Sequence, residues 1–119
     1  MDETNKLTES IITGIREKKG RAITIADLTS IEDTICRYFI ICQADTSNQL
    51  LAVTDSVREV VREQVGQKPM MVDGEHFAHW IVMDYGDVIV HLFVPELRKY
   101  YDIEHLWADA VVTDLPDLD

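Results

Sequence analysis

The segment Tyr38-Phe-Ile-Ile-Cys42 is apolar at five consecutive positions and rich in aromatic and β-branched residues. Successive side chains of a strand point to opposite faces, so a run of this kind is typical of a strand covered on both. The flanking sequence supplies the covering layers. Leu7, Ile11 and Ile15 step by four and Ile12 widens the stripe, with Arg16, Lys18, Lys19 and Gly20 following. That pattern predicts an amphipathic first helix with cations at its C-terminus and a glycine stop. Ala22-Ile-Thr-Ile-Ala26 alternates and reads as a strand with one buried face.

Thr46-Ser-Asn-Gln49 has the form of a capping box, and Leu50, Val53, Val57, Val60, Val61 and Val65 carry the stripe of a second helix closed by Gly66 and Pro69. Valine is not a favoured helix former, so packing of this stripe must outweigh propensity. Strand, helix and a short Met70-Met71-Val72 strand suggest a right-handed βαβ crossover. Trp80-Ile-Val-Met83 and Val88-Ile-Val-His-Leu-Phe-Val94 flank Asp84-Tyr-Gly-Asp87, the signature of a β-hairpin. Pro95 starts a short helix ending near Tyr100, and Ile103 to Ala110 is helical or turn-like. The expected architecture is one α/β domain, a mixed sheet of about five strands with helices on both faces. Residues 1–112 would form it, leaving 113–119 as an acidic, frayed tail.

Charge narrows the possible partners. The 119 residues hold 11 basic and 22 acidic side chains, a net of −11. All 11 bases lie before residue 102, and six acids lie from Asp102 onward. A chain so charged does not bind RNA or DNA mainly by neutralising phosphates, nor an anionic membrane surface. A partner recognised electrostatically should be basic. Met1-Asp2-Glu3 opens no signal segment, and no apolar run approaches the roughly 20 residues of a membrane span. Extended chain would separate Cys36 and Cys42 by about 20 Å, against the ~7 Å a disulfide tolerates. They read as reduced cysteines of a cytoplasmic protein.

Catalytic patterns are thin. His76 and His79 form H-x-x-H with Asp73 and Glu75 nearby, but a metal site needs three or four converging ligands, and a polar loop explains the cluster. Asp84 and Asp87, with His91, could serve a metal-dependent nucleotidyl or phosphoryl transferase. Such chemistry needs carboxylates projecting from a strand and a phosphate-cradling loop, whereas these aspartates bracket a turn. Phosphate-loop, dinucleotide and nucleophile-elbow motifs are absent, and no cofactor or metal ion is expected. Aromatic residues are the better clue. Tyr85 is expected exposed at the hairpin tip, Trp80 stands at the hairpin's start, and Tyr100, Tyr101, Leu106 and Trp107 crowd a short acidic segment. Anchoring of the C-terminal segment explains some of these rings; interface contact explains others, since Tyr and Trp dominate binding hot spots.

Tyr38-Phe-Ile-Ile-Cys42, Thr46-Ser47-Asn48, Trp80, Asp84-Tyr-Gly-Asp-Val-Ile-Val-His91 and Arg98-Lys-Tyr-Tyr-Asp-Ile-Glu-His-Leu-Trp107, in this order, resemble the ribosomal silencing factor (Iojap) family over residues 4 to 110. The resemblance implies a compact fold similar to the nucleotidyltransferase fold without its catalytic motif. It implies a non-enzymatic protein that binds the large ribosomal subunit through that subunit's protein number fourteen, with little direct RNA contact. Joining of the small subunit would then be blocked and translation damped when nutrients are scarce. The implied contact residues are Trp80, Tyr85, Tyr101 and Glu104; Asp84, Gly86, Asp87, His91 and Trp107 would support the structure. Homodimers off the ribosome are implied as well. Two departures stand out: Ala44-Asp45 occupies the helix entry where the family usually has Gly, and Tyr85 stands where many members carry Leu.

Overall fold

The computed structural model describes residues 3–31, 36–103 and 110–117. Helix α1 (Glu3–Glu17) leads into β1 (Arg21–Asp27), β2 (Tyr38–Gln43), α2 (Ser47–Val65), β3 (Met71–Asp73), β4 (Trp80–Asp84), β5 (Val88–Phe93), α3 (Pro95–Tyr101) and β6 (Val111–Asp114). Among the described residues these strands form one sheet in the order β3-β4-β5-β2-β1-β6. β2 and β5 run parallel at its centre, Ile40 beside Val90 and Cys42 beside Leu92. Every other pairing is antiparallel. α2 thus carries the chain from the central strand β2 to the far edge, and β3, β4 and β5 meander back. Largely apolar β2 and β5 sit in the middle, where both faces are covered.

The two sides of the sheet have separate cores. Leu7, Ile11 and Ile15 of α1 and Leu50, Val53, Val57 and Val61 of α2 pack on Ile23, Ile40, Cys42, Ile81, Met83, Val88, Val90 and Leu92. The opposite side gathers Ala26, Leu28, Cys36, Phe39, Ile41, Ile89, Phe93 and Ile103, with Trp80, Val82 and Leu97 half-buried against them.

Local signals work much as the sequence reading expects. Thr46 caps α2, its hydroxyl accepting the Gln49 N–H at 3.1 Å. Gln49 does not close the reciprocal half of the box: its amide oxygen takes the Asp45 N–H, and its nitrogen donates to the Lys18 and Lys19 carbonyls. The cap therefore also ties α2 to the end of α1. Gly66 ends α2 at φ 74°, a left-handed conformation that glycine adopts without steric cost. At the end of α1 the left-handed residue is Lys19 (φ 62°), one position before Gly20. Asp45, where the family usually has Gly, forms a short ion pair with Arg21 at the start of β1.

The described residues form six strands where about five are expected, the sixth being Val111–Asp114, which pairs instead of fraying. β6 pairs with β1, and this strand crosses the expected boundary between residues 112 and 113. Thr24 donates its hydroxyl to Asp114 at 2.7 Å, the Ala22 N–H reaches the Asp117 carboxylate, and the Leu115 N–H bonds the Ile23 carbonyl. The first two of these bonds use acids that the sequence presents as a solvated run. Both cysteines are buried thiols, Cys36 donating to the Tyr38 carbonyl at 3.3 Å, and burial pushes them up to about 11 (Cys36) and about 12 (Cys42). Among the described residues no helix is long and apolar enough to cross a membrane.

Candidate functional site

The side of the sheet opposite α1 and α2 carries an aromatic face built from β4, β5 and α3. Trp80 stands directly across from Phe93 on neighbouring strands, and their rings stack at 5.0 Å. Cross-strand neighbours of this kind fix each other's position. His91 lies two residues before Phe93, so it shares that face, diagonal to Trp80. The Trp80 indole Nε1–H donates to His91 Nδ1 at 3.2 Å. Phe39 of β2 meets the imidazole edge-on at 4.8 Å. Tyr101, at the last residue of α3, lies over Trp80 at 4.8 Å and meets Tyr100 edge-on at 5.0 Å. Pro95 at the start of α3 sets its direction away from β5.

Exposure grades outward across this face. Phe93 and His91 are buried, Trp80 is half-buried, Tyr101 is 45% exposed and Tyr100 78%. A shallow depression of about 240 Å³, lined by Asp73, Gly74, Trp80 and Val82, adjoins it. A wider hollow along α1 and α2, lined by Glu17, Asp55, Glu59 and Glu63 among others, contains none of these rings. Burial holds the His91 imidazole neutral, its pKa pushed down to about 4. With Nδ1 accepting, the ring proton sits on Nε2. That buried Nε2 has no hydrogen-bond partner among the described residues.

The hairpin residues part company. Asp84 accepts the Gly86 N–H at 2.7 Å, and Gly86 adopts φ 88° to close the turn. Asp87 receives the Thr4 hydroxyl at 3.1 Å, while its carbonyl accepts the Arg37 and Tyr38 N–H groups. The two carboxylates are thus bound to different parts of the fold, Asp87 tying the start of α1 to the hairpin. No three His, Cys, Asp or Glu side chains converge as metal ligands among the described residues. His76 and His79 are exposed, and His76 meets Phe77 edge-on.

Tyr85 requires a correction. Expected exposed at the hairpin tip, it is 6% exposed and belongs to the core beneath α1 and α2. The turn places Gly86 and Asp87 at the surface, and Tyr85 continues the inward alternation of Ile81 and Met83. Its hydroxyl finds no partner among the described residues, and burial pushes the phenol up to about 12. Tyr85 therefore lies on the other side of the sheet from Trp80 and offers no surface ring. Glu104, Leu106 and Trp107 lie outside the described residues. Sequence reasoning passed over Phe77, 74% exposed in the loop before β4; its position in a polar loop was the available signal.

Fold and face together define a small mixed-sheet α/β domain that presents aromatic rings rather than a converged polar cluster. A family model described as "Ribosomal silencing factor during starvation" matches residues 1–119. A ribosomal silencing factor from Halalkalibacterium halodurans is 30% identical over 110 residues, 92% of each chain. The crystal structure of a Chromobacterium violaceum protein superposes with a TM-score of 0.83 at 29% identity, covering 91% of this chain and 88% of that one. More distantly, the mouse protein named "Mitochondrial assembly of ribosomal large subunit protein 1" is 23% identical over 102 residues, 84% of this chain and 44% of that protein. The chain belongs to the ribosomal silencing factor family.

Proposed function

We propose that this protein binds the large ribosomal subunit through the face formed by Trp80 and Tyr101, by way of that subunit's protein number fourteen, and blocks joining of the small subunit. The observation carrying this reading is the half-open aromatic face in a chain that matches the silencing-factor family along its whole length. The mouse relative's name, which ties that protein to large-subunit assembly, supports the choice of subunit. The mechanism asks for affinity and position alone: a domain seated where the small subunit must dock excludes it, with no bond made or broken. Translation then falls when nutrients are scarce, and the site of action is the cytoplasm.

Charge supports a protein contact over an RNA one. A net charge of −11 repels phosphate and favours a basic ribosomal protein, so association should slow as salt rises. Glu104, next in the chain beyond Ile103, is proposed to join Trp80 and Tyr101 in that contact. Off the ribosome the protein is proposed to be a homodimer, a state that light scattering at two concentrations reads directly.

Co-sedimentation with isolated large subunits, followed by a subunit-joining assay, tests the reading. Truncating a hot-spot aromatic costs about 2 kcal/mol, roughly thirty-fold in affinity. Tyr101→Ala, an exposed substitution that leaves the core intact, should weaken binding to that extent, and Trp80→Ala at least as much. Wild-type protein that neither sediments with the subunit nor slows joining would refute the proposal. Binding unchanged in both variants would refute the face.

A further inference from the structure

We propose that His91 is a positioning residue for the partner-binding face: its Nδ1 accepts the Trp80 indole N–H and locks the ring plane in the orientation it presents beside Tyr101. The inference rests on the face proposed above and assigns the device that orders it before a partner arrives.

Packing alone does not account for a histidine here. Its neighbours on this side of the sheet, Phe39, Ile41, Ile89 and Phe93, are all apolar. His91 is 8% exposed, and its Nε2 lacks a partner among the described residues. An unpartnered buried N–H destabilises a fold, and Leu or Phe would fill the same space without that cost. What an apolar side chain could not do is accept a hydrogen bond from Trp80. Burial keeps the imidazole neutral, so the accepting lone pair on Nδ1 is available at ordinary pH.

Trp80 needs such a tether. Phe93 supports the indole through stacking, but the ring is half-buried, at the margin of the core. Stacking is tolerant of rotation in the ring plane, whereas an N–H to nitrogen bond at 3.2 Å fixes it. Tyr101 then lies tilted at 40° on a surface whose orientation is already set. A contact ring ordered in the free protein spares the entropy that binding would otherwise cost.

The chain has two tryptophans, so the ¹⁵N-labelled protein shows two indole N–H resonances, and Trp80→Phe identifies which belongs to Trp80. His91→Leu removes the acceptor; His91→Asn places Oδ1 where Nδ1 stood and restores one. In His91→Leu the Trp80 resonance should move upfield and its exchange with solvent accelerate, while the melting temperature stays level or rises. Binding to large subunits should weaken about five-fold, the worth of one hydrogen bond. His91→Asn should recover both the resonance and most of the affinity. An indole signal indifferent to His91→Leu, or full affinity once that signal shows the ring released, overturns the positioning role. A fall in affinity that only tracks a lowered melting temperature, with no recovery in His91→Asn, overturns it too. Trp80→Ala with unchanged binding refutes instead the face itself, and the indole resonance then still reports whether the tether exists.

Discussion

Replacing Tyr85 with Phe should make the protein more stable. The ring stays in the core, while the hydroxyl, buried and without a partner among the described residues, disappears. An unsatisfied buried hydroxyl costs about 1 kcal/mol or more, so Tyr85→Phe should gain about that much at neutral pH. The gain should grow in alkali. Burial raises the Tyr85 phenol from 10.0 to about 12, so above pH 10 the unfolded chain loses a proton that the folded chain keeps. Stability contributed by this group is therefore complete below 10 and lost as pH rises toward 12. At about pH 11 the loss is about 1.4 kcal/mol, one tenfold step in the equilibrium. Tyr85→Phe lacks this loss, and the gap between the proteins should widen from about 1 to about 2.5 kcal/mol. Urea unfolding followed by circular dichroism at the two pH values measures both figures, and the difference cancels the other tyrosines and the cysteines. A variant less stable at neutral pH, or a gap that does not widen, refutes the burial argument. Large-subunit binding should be unchanged; its loss at full stability would return Tyr85 to the contact surface.

Three other outcomes follow from the packing. A Cβ at Gly14 would stand 2.7 Å from Val57 Cα and 3.1 Å from Val57 N, so α1 and α2 must separate to admit Gly14→Ala. Overpacking of about 1–3 kcal/mol should exceed the roughly 1 kcal/mol of helix propensity gained, lowering the melting temperature by about 5 °C in calorimetry. Arg98 donates to the Ala22 carbonyl, to Thr24 Oγ1 at 2.9 Å and to Gln43 Oε1 at 3.3 Å, and Thr24 in turn holds Asp114. Arg98→Leu should cost about 3 kcal/mol, with hydrogen exchange rising first in β6. His91 titrates at about 4 when folded against 6.5 unfolded, so its contribution is complete above 6.5 and lost as pH falls toward 4. His91→Leu should flatten the acid side of the stability profile by about 3 kcal/mol, measured by urea unfolding across that range.

Residues that decide by local chemistry were legible in the sequence; those decided by distant partners were not. Tyr38–Cys42 announces a strand covered on both faces, and it is the central parallel strand beside β5. Thr46 caps its helix through an N–H three residues away, well within reach of local pattern. β6 was missed because four exposed residues in an acidic run carry no burial pattern; its strand exists through the ladder to β1 and the Thr24 and Asp114 bond, 90 residues apart in the chain. Tyr85 was misplaced because turn chemistry was applied one residue too early. The turn is made by Asp84 bonding Gly86, and the tyrosine belongs to the strand's inward alternation. Trp80 was legible as a candidate contact, but its tether to His91 depends on the β4–β5 register, which fixes which residues share a face.

The unequal covering of the sheet explains why the aromatic face exists. On one side α1 and α2, of 15 and 19 residues, bury an aliphatic core almost completely. On the other, α3 has 7 residues, enough to bury Ile103 and half of Leu97 but not to roof Trp80. Extending that helix would close the core and cover the exposed rings. Exposed rings ordinarily invite indiscriminate association, and a net charge of −11 disfavours contact with acidic surfaces and favours basic ones. Charge and aromatic exposure thus act on the same choice. In the proposed contact the rings would supply affinity at short range, and the net negative charge would decide what comes near enough to use it.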